Sequence, residues 1–190
     1  MDIYSSVNKV LEGNGVIKFG NFTLSSGKSS NYYVDMKKVI TIPKVLKLIS
    51  HNIANVMKTE GISPDYIGCI ELGGVPIGTA VSLDTNIDLI IVRKNKKNYG
   101  IEDMFIGDFK KSKVVLLVDD VTTIGGSLLR SVQAMRDEGL IVNTVITVVD
   151  REEGAADNLS KIGVVLISLV KASDLLKNTK YSNSKHMIRK

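Results

Sequence analysis

The chain is short of several residue types, and each shortage excludes something. In 190 residues it has one cysteine, Cys69, three prolines and no tryptophan. A single thiol cannot close a disulfide within the chain, so the fold must stand on burial, and nothing requires an oxidising compartment. Aromatic residues are only 5% of the total, which leaves few platforms for stacking nucleic-acid bases. No apolar run approaches the ~20 residues needed to span a bilayer. The opening Met1-Asp2-Ile3-Tyr4-Ser5-Ser6 lacks the basic start and apolar stretch of a secretory signal. The expectation is a cytoplasmic protein with neither a membrane nor a nucleic-acid partner.

What is present fits one globular domain. Hydrophobic residues make up 44% and charged residues 24%, with 25 basic and 20 acidic side chains leaving a net charge of +5. Those proportions exclude a collagen-like or mostly disordered chain. The small basic excess suits an anionic small substrate, a nucleic acid or a merely solvated surface equally well.

Ile3, Val7, Val10 and Leu11 recur at helical spacing before Gly13, which predicts a short amphipathic helix. Val16 to Phe19, Phe22 to Leu24 and Tyr32 to Val34 are β-prone and separated by Gly20 and the loop Ser25 to Ser30. They read as irregular strands lying over a core, a hood covering about residues 1–42. Pro43 suits a first helical turn, and Val45, Leu46, Ile49, Ile53, Val56 and Met57 mark a long amphipathic helix behind it.

From there one arrangement repeats: an apolar run, a loop, a helical pattern. The apolar runs are Tyr66 to Ile70, Ile87 to Val92, Val114 to Val118, Val142 to Val149 and Val164 to Val170, with helices expected from Pro76, through Leu128 to Met135, and from Ala155 to Lys161. Strands buried on both faces lose their in/out alternation and become continuous Val/Ile/Leu stretches. The fold class is therefore α/β, with a five-stranded parallel core over about residues 43–176 and helices on both faces. The polar, basic tail 177–190 reads as a loosely ordered end.

The richest stretch is Val114-Val115-Leu116-Leu117-Val118-Asp119-Asp120-Val121-Thr122-Thr123-Ile124-Gly125-Gly126-Ser127. A buried strand ends at two carboxylates, and a loop of hydroxyls and glycines then opens a helix. Glycines admit a ligand close to the backbone, and the N–H groups of a helix start hold phosphate. Asp119 and Asp120 are placed to accept hydrogen bonds from vicinal sugar hydroxyls. Together these residues describe a ribose-phosphate pocket, whereas an Asp-Asp pair alone reads as an ordinary turn. The other nucleotide motifs fail. Gly73 to Gly78 is followed by Thr79 where a P-loop needs Lys, and Lys18 stands where the third glycine of a dinucleotide fingerprint belongs after Gly13-Asn14-Gly15.

This strand, acidic pair and loop resemble the signature of the phosphoribosyltransferase family. Four further segments resemble its orotate-using branch: Phe19 to Lys28, Glu71-Leu72-Gly73-Gly74-Val75-Pro76-Ile77, the basic run from Arg93-Lys94, and Asp150-Arg151-Glu152. The resemblance covers about residues 16–170. It implies transfer of phosphoribose from PRPP to orotate, with magnesium as cofactor because PRPP reacts as its metal complex. No dedicated set of metal ligands is visible, and His51 and His186 lack ligand spacing.

The resemblance also implies roles residue by residue. Asp119, Asp120, Val121, Thr122, Thr123, Ile124, Gly125, Gly126 and Ser127 would hold the ribose phosphate. Gly73 and Gly74, otherwise a plain tight turn, would meet the pyrophosphate, with Glu71 a water-mediated partner of the metal. Arg93, Lys94, Lys97 and Tyr99 would form a lid over the pyrophosphate, reaching across a homodimer, although a charge run is ordinarily a solvated face. Tyr99 stands where many relatives carry His. Lys97 and Asp120 are assigned to the chemical step. Arg151 would grip the orotate carboxylate and Thr123 the ring; the plain alternative for Arg151 is a surface pair with Glu152 or Glu153. Many relatives carry Lys where this chain has Ser25. Two rival activities stay open: a purine or uracil phosphoribosyltransferase, and a PRPP-sensing regulator that binds nucleic acid.

Overall fold

The computed structural model describes residues 3–23, 27, 29–94 and 104–177. Helix α1 (Ile3–Gly13) leads into the hairpin β1 (Ile17–Thr23) and β2 (Ser29–Val34), a 3-10 turn at Met36–Lys38, and helix α2 (Pro43–Thr59). There follow β3 (Tyr66–Ile70), α3 (Gly74–Thr85), β4 (Leu89–Val92), β5 (Phe105–Ile106), β6 (Val114–Thr122), α4 (Gly126–Asp137), β7 (Ile141–Asp150), α5 (Ala155–Ser160) and β8 (Val165–Lys171).

The main sheet has six strands in the order β5-β4-β3-β6-β7-β8. Five of them pair in parallel, as the apolar runs predict, and only β4–β5 is antiparallel. Strand β5 is two residues long, too short to leave any periodicity in the sequence. Counted by appearance, the parallel strands run 2-1-3-4-5, so the winding reverses between β3 and β6. A doubly wound sheet opens its crevice at that reversal, outside the carboxyl ends of the strands.

The continuous apolar runs have their expected cause. Along β6, Val115 and Leu117 face one buried cluster while Leu116 and Val118 face the other. Helices α1, α2 and α3 cover the Leu116/Val118 face with Leu11, Ile49 and Ile77, and α4 and α5 cover the Val115/Leu117 face with Leu128, Val132 and Leu159. Strands covered on both sides have no polar face to show.

Four sequence readings need correction. The first two N-terminal strands are one, β1, with an irregularity between Phe19 and Phe22 that absorbs Gly20. The hood is also more than a cover, because Val7, Leu11, Val16, Val34 and Met36 belong to the same buried cluster as α2 and the sheet. Helix α3 opens at Gly74 rather than Pro76, since the N–H that proline lacks has no helical partner in a first turn. Finally, β6 does not stop before the acidic pair. It pairs with β7 through Asp119, Val121 and Thr122, while its pairing with β3 ends at Val118.

Gly68 tests the packing between sheet and helix. A Cβ there would lie 2.7 Å from Met135 Cε and 2.8 Å from Val115 Cγ1. Gly68→Ala should destabilise the protein by about 1–3 kcal/mol through overpacking, read as a lower urea midpoint at an unchanged m-value.

Candidate active site

Where β3 and β6 part, an open cleft of about 500 Å³ lies at their carboxyl ends. Its walls come from the loop after β3 (Glu71, Gly73), from Asp119 to Ser127, from the N-terminal hairpin and its following turn (Thr23, Tyr33, Lys37), and from Arg151 at the end of β7.

The loop from β6 into α4 is built to receive an anion. Gly125 caps α4 in the left-handed region at φ 79°, and a Cβ there would come within 3.4 Å of Ala155, so both conformation and space favour glycine. The first bond of the helix runs from Leu129 N to Gly125 O at 2.8 Å. The N–H groups of Gly126, Ser127 and Leu128 therefore have no partner within the helix and sit at its positive end. Arg151 N donates to Thr122 O at 3.0 Å, and Asn158 Nδ2 donates to Ile124 O at 3.0 Å. The loop is thus held in place from β7 and α5 before any ligand arrives.

The acidic pair lies on the free edge of β6. Asp119 is only 6% exposed; burial, then the charge of Asp120, hold its carboxyl well above the usual carboxylate range. Burial also raises Asp120, opposed by the bond from Val121 N to its Oδ1 at 2.9 Å and by the positive charge of Lys37. Across the cleft, a Cβ on Gly73 would overlap the Asp120 carboxylate. Only glycine lets the β3 loop come so close. Glu71 ties that loop to the next one, its Oε2 accepting a bond from Lys94 N at 3.1 Å.

Asp119 to Ser127, Gly73, Glu71, Lys94 and Arg151 all line this one cleft, and Gly74 opens α3 directly behind Gly73. Arg93 does not line it. Its backbone N donates to Met104 O at 2.8 Å, and its buried Nε has no hydrogen-bond partner among the described residues. Lys97, Tyr99, Ser25 and His186 lie outside the described residues. Arg151 is no surface residue: it is 5% exposed, yet it makes the pair with Glu153, at 2.8 Å, that the plain alternative expected. His51 lies on α2 with its Nδ1 3.8 Å from Asp84 and does not line the cleft. Cys69 is buried; burial, then the Asp119 charge, push its thiol up to about 12, which keeps it from acting as a nucleophile.

Sequence reasoning missed Lys37, Tyr33 and Arg130, which also line the cleft. Arg130 was within reach, because it follows Ser127 by three residues on a helix and shares its face. Lys37 and Tyr33 carry no such signal, since only the folded hairpin brings them to β6.

Residues 35–170 match the phosphoribosyl transferase domain family. Over 167 residues the chain is 47% identical to the orotate phosphoribosyltransferase of Methanosarcina mazei, covering 88% of each protein. The chain belongs to the orotate phosphoribosyltransferase family. Solved structures of this group share its fold. The UMP synthase of Leishmania donovani superposes with a TM-score of 0.82 at 30% identity, over 94% of this chain and 38% of that longer one. The Mycobacterium tuberculosis orotate phosphoribosyltransferase in complex with PRPP superposes with a TM-score of 0.73 at 28% identity, over 92% and 99%. Family membership accounts for the coexistence of the pinned loop, the buried acidic pair and the close Gly73 turn in one cleft.

The acidic pair generates a pH prediction. A carboxyl raised in the folded state keeps its proton where the unfolded chain has lost it. Its stabilising contribution is full below the usual carboxylate value, about pH 4, and is lost as pH rises through the raised value. Asp119→Asn removes that loss. Its Tm should exceed that of the parent by roughly 2–4 °C in neutral buffer, and the gap should close on acidification toward about pH 4. Thermal scans across that range check both the sign and the trend.

Proposed function

We propose that the chain transfers the 5-phosphoribosyl group of PRPP to orotate, releasing pyrophosphate and forming orotidine 5′-monophosphate on the route to UMP. One observation carries this reading: a phosphate-binding helix start, a sugar-binding acidic pair and a nearly buried arginine converge on a single cleft. The first suits the 5-phosphate, the second the ribose hydroxyls, and the third a carboxylate on the base.

The reaction breaks the bond from the anomeric carbon to the diphosphate oxygen, which keeps the electron pair, and forms a bond from that carbon to a ring nitrogen, whose proton passes to the departing diphosphate or to water. The carbon becomes electron-poor on the way. Asp120, when ionised, places negative charge beside the ribose, and N–H groups at Gly73 and Gly74 meet the departing oxygens. Lys94 adds positive charge from the β4 loop, and Lys37 does so from the hood. Lys97 is the proposed residue of the chemical step on the leaving side, with Arg93 and Tyr99 completing the lid. Thr123 contacts the base from the phosphate loop.

Among the described residues, no group of three or more His, Cys, Asp or Glu side chains is placed to hold a metal ion. Glu71 and Asp120 on the cleft wall fit magnesium bound mainly through substrate oxygens and water, the ion's usual mode with phosphates. When bound, it would neutralise the diphosphate as that leaves.

We further propose one phosphoribosyltransferase domain, with a hood over about residues 1–42 and a core over about 43–176, acting in the cytoplasm as a homodimer. One observation supports self-association: Leu72 and Leu83, beside and on α3, are 75% and 80% exposed. No helix among the described residues is long and apolar enough to cross a membrane.

Purified protein with PRPP and magnesium should consume orotate and leave uracil, adenine and hypoxanthine unchanged; turnover of any of these three in place of orotate would refute the assignment. Lys97→Ala should depress kcat. Mixing that variant with Gly126→Pro, which spoils the phosphate loop, should restore activity in hybrid dimers, whereas lids confined to their own subunit give no recovery.

A further inference from the structure

Arg151 is held in the cleft by three side-chain hydrogen bonds. Its Nε donates to Glu153 Oε1 at 2.8 Å, its Nη1 to the Tyr32 carbonyl at 3.4 Å and its Nη2 to Ser30 Oγ at 2.9 Å. The guanidinium also lies 4.2 Å from the centre of the Tyr32 ring. Ser30 and Tyr32 belong to hood strand β2, whereas Glu153 lies in the loop after β7.

A guanidinium offers five N–H donors in one plane. Three are engaged by the described residues, and among those residues one donor on each Nη remains, the number a single carboxylate accepts from a fork. We propose that Glu153 and Tyr32 are positioning residues that set the preference for a carboxylated base, although neither needs to touch it. This inference rests on the orotate reading above.

The physical argument has two parts. A guanidinium this buried is costly without a counter-charge, and an unpaired one would turn toward water. Glu153 supplies the charge on the Nε side, so the Nη side stays open to the ligand. Because the Arg151–Glu153 pair is neutral overall, an uncharged ring gains little from it, and a group able to accept two parallel bonds gains most. The Tyr32 ring fixes the plane of the fork by covering one face. Since that ring comes from the hood, recognition of the base depends on how the hairpin is seated.

The test is steady-state kinetics on the full chain, with the KM for orotate and the KM for PRPP measured separately. Glu153→Ala should raise the orotate KM by about tenfold, the loss of one charge-assisted bond, and leave the PRPP KM within about twofold. Glu153→Gln keeps an oxygen acceptor for Nε but not the charge, and should recover part of the loss, with an orotate KM between those of the parent and Glu153→Ala. Tyr32→Phe should behave as the parent, because ring and carbonyl are retained, whereas Tyr32→Leu should raise the orotate KM severalfold. An orotate KM unmoved by Glu153→Ala, a parallel rise of both KM values, or failure of the glutamine rescue would each overturn the positioning role. Absence of orotate turnover in the unsubstituted chain would instead overturn the parent reading, and this one with it.

Discussion

Past Val118, strand β6 keeps a hydrogen-bonded neighbour on one side only. It continues alongside β7 to Thr122 while β3 has already turned away. This half-paired extension carries the acidic pair out of the sheet without releasing it from the backbone ladder. The two carboxylates therefore stay in the backbone ladder while they line the cleft. The Gly73 turn and the phosphate loop take their positions from the same divergence of two strands.

Holding two carboxylates in this way has a cost. Burial disfavours the charge on both, and the charge of Asp120 further disfavours that of Asp119. Nothing in the core benefits from this, and an uncharged side chain at Asp119 would suit the isolated fold better. The arrangement makes sense only for a ligand rich in hydroxyls and arriving with cations, which restores what burial withholds. Such conflict between stability and function is usual at preorganised sites. Asp150, on the neighbouring strand, is also raised by burial but donates structure rather than chemistry, its Oδ1 accepting a bond from Glu152 N at 2.8 Å.

The hairpin and the core are one construction. Val16 and Val34 bury themselves with α1 and α2, while Ser30 and Tyr32 on the same hairpin reach Arg151. Hydrophobic packing thus sets the place of the polar contacts. A change that loosens the hairpin reaches Arg151 in the cleft without substituting it.

Much of this architecture is legible in the amino-acid order. Continuous Val/Ile/Leu runs announce five parallel strands because two-sided burial removes alternation, and the hydroxyl-glycine stretch after an acidic pair announces the family, because few other chains need that combination. Strand β5 left no trace, being too short, and the reach of β6 past Asp120 was hidden because carboxylates are poor strand formers that only the ladder to β7 retains. The amino-acid sequence by itself determined the five parallel strands, the main helices and the hydroxyl-glycine loop between β6 and α4, whose patterns depend on neighbours along the chain. Tertiary structure alone decided that Arg151 is buried and clamped by the hairpin, that Gly73 abuts Asp120, and that Lys37 joins the cleft. Those contacts join residues far apart in the chain, and only the winding of the sheet brings them together.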